Sequence, residues 1–128
     1  MSLYTKCILH PALPEDGTRI SVMSRHTENN GITLIEVHYH EHLQQLAPPL
    51  RLIGSYYKRG LSWEEFELRY LEHIRQSEIR DQVQKLAQRS LLEDITLLCI
   101  EETPEHCHRR LLAEECQRYQ PTLTIEHR

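Results

Sequence analysis

The sequence predicts an α/β domain: a small, mostly parallel sheet flanked by helices in a Rossmann-like three-layer arrangement. Three observations carry that prediction. The run Ile95-Thr96-Leu97-Leu98-Cys99-Ile100 is apolar without interruption, as a strand covered on both faces is. A helical pattern and a strand-like segment, Thr122 to Glu126, follow it closely, and a strand–helix–strand unit of this size places its strands parallel. A long helical stretch separates the run from the strands near the N-terminus, which permits a parallel relation there too. At 128 residues the chain has room for a single domain, residues 1–128, with a core that needs no metal or disulfide staple.

Taken in order, Leu3 to Leu9 reads as the first strand, and His10-Pro11 with Pro14-Glu15-Asp16-Gly17 as a turn. Arg19 to Ser24 is a second strand, with Ile20, Val22 and Ser24 on one face and Arg19, Ser21 and Met23 on the other. About eight residues between these strands are too few for a helical crossover, so their pairing stays open. Arg25 to Gly31 is polar and loop-like, and Ile32 to Val37 reads as a short extra strand. Pro48-Pro49 opens a short helix that reaches Lys58 and stops at Gly60. Ser62 caps the next helix with Glu65 three residues on, and Trp63, Phe66, Tyr70 and Ile74 line one face of it. A further amphipathic helix runs from about Glu78, with Ile79, Val83, Leu86 and Ala87 inward. Thr103 as N-cap and Pro104 as first helical residue start the last helix, which carries Leu112, Cys116 and Tyr119 inward and ends before Pro121.

Composition narrows the function classes. Hydrophobic content of 39% and charged content of 27% are those of a soluble globular protein. A net charge of -4 gives no global attraction to nucleic acid or to acidic membranes. No run approaches the roughly 18 apolar residues of a membrane span, and the start lacks a signal-peptide pattern, so the expectation is a cytoplasmic protein. Cys7, Cys99, Cys107 and Cys116 are then expected as free thiols. No glycine-rich phosphate loop is present, which argues against a nucleoside triphosphatase.

Parallel α/β sheets bind ligands beyond the carboxyl ends of their strands. One such end is Ser24-Arg25-His26; another is Cys99-Ile100-Glu101, which leads into Thr103-Pro104-Glu105-His106-Cys107-His108-Arg109. The stretch from Leu97 to Glu114, with Cys99, Glu101 two residues on, then Cys107-His108-Arg109 and a Leu-Ala-Glu helix, resembles the hallmark of the domain of unknown function 488 family. The resemblance extends through Ser24-Arg25, Leu46-Ala47-Pro48, and Ser62-Trp63-Glu64-Glu65-Phe66 with Arg69-Tyr70. It implies a small bacterial or archaeal cytoplasmic α/β protein whose biochemical activity is not established. The motif marks Ser24, Arg25, Cys99, Glu101, Cys107, His108 and Arg109. One departure is the first crossover, where Pro11 to Gly17 replaces the helix that many relatives carry.

Each marked residue has a plain and a functional reading. Cys107, one turn inside the expected helix, is a small core residue, a reactive thiol or a metal ligand; the helix dipole favours a thiolate there, and Glu101, Glu102 and Glu105 oppose it. Cys99, at the end of a buried strand, reads as core, and no Cys-x-x-Cys motif supports a Cys99–Cys107 redox pair. His108 falls beside the buried stripe. Arg109 either pairs with Glu101 or offers its fork to a ligand, and Arg25, leaving a strand end, is the stronger ligand candidate. The catalytic candidates are therefore Cys107, His108 and Glu101, and the ligand-binding set is Ser24, Arg25, Glu101, His108 and Arg109. No resident metal or cofactor is assigned; His38, His40 and His42 could hold zinc or nickel adventitiously. The expected function is binding, with catalytic processing left open, of a small anionic or nucleotide-like ligand at the strand ends. The alternative is a non-enzymatic protein- or nucleic-acid-binding module in which the Cys-His-Arg turn is structural.

Overall fold

The unbroken apolar run becomes strand β4 (Ile95–Cys99) in the order of elements given below, and every one of its residues is buried. It can be so because it is the middle strand of five. The computed structural model describes residues 1–27 and 35–128. In chain order these form β1 (Ser2–Cys7), β2 (Thr18–Ser21), β3 (Glu41–His42), α1 (Leu50–Arg59), α2 (Trp63–Ile74), α3 (Ser77–Leu92), β4, α4 (His108–Tyr119) and β5 (Thr124–His127). The sheet order is β3-β2-β4-β1-β5, and each neighbouring pair is parallel. The expected α/β class with a mostly parallel sheet is observed, and the four helices flank the sheet. No helix among the described residues is long and apolar enough to cross a membrane.

Alternation along the strands sorts the two faces. Leu3, Ile20, Val22, Ile95 and Leu97 join Phe66, Tyr70, Ile74, Val83, Leu86 and Leu112 in one core, where α2, α3 and α4 pack. Each such fully buried aliphatic or aromatic side chain contributes roughly 1.5–3 kcal/mol of transfer free energy. The opposite face carries Lys6, Arg19 and Thr96, and irregular chain rather than helix covers it there. Thr96 donates to the carbonyl of Asp16 at 2.6 Å, Lys6 to that of Pro11 at 2.7 Å, and Arg19 to that of His38 at 3.0 Å. The buried Asp16 carboxylate pairs with Lys6 at 3.1 Å and with Arg19 at 2.5 Å. Burial alone would raise its pKa; the Leu13 N–H and these two cations outweigh burial and hold it below the ordinary value.

The open question of the first two strands resolves into separation: β1 and β2 do not pair but flank β4 on either side. A single 3₁₀ turn, Pro14–Asp16, and an extended chain make the crossing. Gly17 ends that turn at φ 63, and a Cβ there would lie 2.3 Å from the Asp94 carbonyl oxygen. Only glycine lets the chain pass this close to the start of β4.

Several sequence expectations move at their ends. β2 stops at Ser21 rather than Ser24, because His26 folds back onto the Ser21 hydroxyl at 2.7 Å and bends the chain. The expected strand from Ile32 to Val37 lies partly outside the described residues, and Ile35–Val37 have no regular structure. The edge strand is Glu41–His42 instead. The largest correction concerns α4. Thr103-Pro104 makes only a turn, closed by the Cys107 N–H on the Pro104 carbonyl at 3.2 Å, and the helix starts at His108 with Cys107 as N-cap. Burial of Cys107 and Arg109 draws the chain inward at this point, and that packing overrides the local helix-start signal. α1 behaves as its punctuation predicts, running from Pro49 as N-cap to Gly60 in the left-handed region.

Candidate strand-end pocket

The carboxyl ends of β2 and β4 are level: Ser21 pairs with Leu98, and the Val22 N–H continues the ladder to the Leu98 carbonyl at 3.1 Å. This leaves the Val22 carbonyl facing the start of α4. His108 takes it, with Nε2 at 2.7 Å. A carbonyl only accepts, so Nε2 is the donor and Nδ1 points the other way. There it meets Cys99 Sγ at 3.6 Å. Tyr70 packs edge-on against the imidazole, centroids 5.4 Å apart, and its own hydroxyl donates to the Leu46 carbonyl at 2.7 Å. The ring is thus held from three sides.

Cys107, the N-cap of α4, reaches the same point, and the sulfurs of Cys99 and Cys107 and Nδ1 of His108 all lie within 4.8 Å of one another. All three residues are buried. The Cys107 thiol donates toward Cys99 and lowers its pKa; burial opposes this, while the main-chain N–H groups of Glu101 and Ile100 and the charge of Arg109 assist it. Cys107 shifts the opposite way, raised by burial first and then by Cys99. Burial opposes a Cys107 thiolate, as expected, and the nearby glutamates are not among the leading causes.

These groups form the floor of a cavity of about 260 Å³. Tyr56 and Tyr57 of α1 and Trp63 and Phe66 of α2 make its walls. His106, on the loop before α4, stacks on Trp63 with centroids 4.8 Å apart and planes 18° from parallel. Ser24, half-buried, and Arg25, exposed, line it from the end of β2, and Lys58 lines it from α1.

Of the residues the sequence marks, Ser24, Arg25, Cys99, Cys107 and His108 therefore meet at one cavity. Two do not. Arg109 is fully buried beneath the loop, where it donates from NH1 to the main-chain carbonyl of Glu101 and lies 3.9 Å from Cys107 Sγ. Its Nε and NH2 have no partner among the described residues. The Glu101 carboxylate turns outward and accepts the Tyr57 hydroxyl. β4 ends at Cys99, so strand alternation no longer governs Glu101. Burial and this carboxylate push the Tyr57 pKa up. The histidine run does not gather its rings: His40 Nδ1 accepts the Arg19 N–H at 2.8 Å, and His42 Nε2 lies 2.5 Å from the Met23 carbonyl.

Sequence reasoning missed the walls. Trp63 and Phe66 fit a core stripe, and they are that at one edge; Tyr56, Tyr57, Lys58 and His106 carried no motif. The available signal was density, since half of the chain's Tyr, Trp and Phe residues fall between Tyr56 and Phe66.

A parallel sheet whose central strand ends open into a ring-walled cavity defines an α/β protein of the strand-end pocket type. The chain belongs to the domain of unknown function 488 family: the family model described as the Active DUF488-N3 subclade matches residues 3–120. No curated protein matches the chain, and no solved structure does.

Proposed function

We propose that the protein binds a small, ring-bearing anion of nucleotide type in this pocket and presents it to the Cys99–Cys107–His108 floor for processing. One observation carries the reading: flat rings wall the cavity, Arg25 and Lys58 line it with positive charge, and thiol and imidazole groups face it from below. Rings select a planar guest by stacking, and an arginine fork selects phosphate or carboxylate. About 260 Å³ lies just below the usual range of about 300–1,000 Å³ for ligand pockets, so the guest is small, no larger than a nucleoside monophosphate. The subclade's description carries the word active, which agrees with a site that processes what it binds. The rival, a module whose Cys-His-Arg turn is structural, draws support from the burial of Cys107, His108 and Arg109.

Trp63 is the chain's single tryptophan, so its emission reports on the pocket without labelling. Titration with nucleoside monophosphates is expected to quench it, and inorganic phosphate alone to leave it unchanged. Arg25→Ala should weaken the response by about 10–150-fold, the equivalent of one charge-assisted contact of roughly 1.5–3 kcal/mol. Emission that ignores every nucleotide would remove this reading.

A further inference from the structure

We propose that Cys99, Cys107 and His108 form a site for a soft divalent cation, zinc foremost, with its fourth coordination position open to the pocket. The inference rests on the three donors and stands apart from the identity of any organic ligand. The first support is geometric. In a tetrahedral zinc site, with Zn–S about 2.3 Å and Zn–N about 2.0–2.1 Å, a sulfur and a nitrogen ligand lie about 3.6 Å apart and two sulfurs about 3.8 Å. The Cys99 Sγ to His108 Nδ1 separation is 3.6 Å, and all three donor atoms fall within 4.8 Å of one another. The Cys99–His108 pair already stands at the separation the ion requires, and Cys107 lies close enough to complete the set with a small side-chain adjustment.

The second support is the fixed tautomer. Zinc-binding histidines give their other N–H to a carbonyl or carboxylate, which orients the ring and leaves the free lone pair for the metal. Here the Val22 carbonyl takes the Nε2 proton, and Nδ1 faces the sulfurs. The third is donor chemistry. Two thiolates and an imidazole suit zinc or copper(I) and not magnesium or calcium. Among the described residues no carboxylate completes the set, so the chain supplies three ligands, the number found where a fourth place is kept for water or substrate. All three line the cavity, which gives that fourth place its direction.

Charge adds a preference. Two thiolates cancel a divalent ion, and the buried Arg109 guanidinium, with no carboxylate partner among the described residues, leaves a positive charge against Cys107. An anionic fourth ligand, hydroxide or an oxygen of a bound anion, restores neutrality in a dry site.

Cobalt(II) tests this directly, because it takes zinc's place and its spectrum reports the ligands. Chelator-treated protein is expected to bind one cobalt per chain with tetrahedral visible bands and thiolate-to-cobalt charge transfer in the near ultraviolet, and zinc should displace it. Cys99→Ser, Cys107→Ser and His108→Gln should each lower cobalt affinity by at least about 10–100-fold. The triple variant His38→Ala, His40→Ala, His42→Ala should bind as the parent does. An octahedral spectrum without charge transfer, or loss of binding in the triple-histidine variant, would overturn the proposal. Should a cysteine variant fail to fold, alkylation mapping of the parent chain decides. Zinc is expected to shield Cys99 and Cys107 from iodoacetamide at least tenfold while Cys7 and Cys116 react as before, and equal labelling with and without zinc counts against the site.

Discussion

His108 Nε2 and the Val22 carbonyl, 2.7 Å apart, join the first residue of α4 to the end of β2 across 86 positions of sequence. This contact ties strand ends to helix start and sets which imidazole nitrogen faces the cysteines. Removing it leaves a buried acceptor unpaired. In metal-free protein, His108→Ala is expected to lower stability by about 1–3 kcal/mol. Urea unfolding in the presence of chelator measures this, and an unchanged midpoint would show that the contact holds nothing.

Gly17 and Gly60 both have positive φ, yet they are not equivalent. Gly60 faces open space, so alanine there meets only the backbone preference, about 1–2 kcal/mol. At Gly17 a Cβ would lie 2.3 Å from the Asp94 carbonyl oxygen, at the point where the first crossover passes the start of β4. Gly17→Ala is expected to cost at least about 2 kcal/mol and more than Gly60→Ala. Thermal melts of the two variants, side by side, check the order.

Glu115 gives the pH dependence its sign. Burial alone would raise its pKa, but Arg75 at 2.8 Å and Arg118 at 3.0 Å bring it down from 4.5 to about 2. A carboxylate with a depressed folded pKa contributes its stability above the unfolded value and loses it as pH falls through the folded one. Stability should therefore drop between pH of about 4.5 and about 2. Both arginines are about half exposed, so solvent screening reduces the Glu115 share to on the order of 2 kcal/mol. The lowered pKa of Asp16 adds loss of the same sign. Glu115→Gln should be less stable at pH 7 and show a shallower acid slope; an identical slope would remove Glu115 as a cause.

The parallel sheet was legible because its signals are local and redundant. An unbroken apolar run, a strand–helix–strand unit and well-punctuated helices all agree, and Ile95–Cys99 duly lies at the centre. The helix start at Thr103-Pro104 was misleading, since burial of Cys107 and Arg109 decides the path there, and burial of a loop leaves no periodicity to read. The same holds for Cys99. Its place at a strand end marks it as core, and only the fold shows that His108 faces it. The motif residues were all visible, but the partition that sends Arg109 inward and Arg25 outward depends on where the helix begins.

That partition makes the final prediction. Arg25 is exposed and lines the cavity, whereas Arg109 is fully buried with one hydrogen bond to a main-chain carbonyl. Arg25→Ala should leave the melting temperature within about 2 °C of the parent, because surface changes of this kind stay within about 0.5 kcal/mol. It should also reduce the stabilisation that a nucleoside monophosphate adds, in line with an affinity weaker by about 10–150-fold. Arg109→Ala removes a buried side chain and frees the Glu101 loop, at a cost of about 2–4 kcal/mol with or without an anion. Arg109→Met fills the same space without a charge and should recover most of that loss, since a buried, partly satisfied guanidinium is costly to desolvate. Melting curves of the three variants, with and without the nucleotide, separate the roles. If Arg109→Ala melts as the parent does and loses the nucleotide response instead, the two arginines have been assigned the wrong way round.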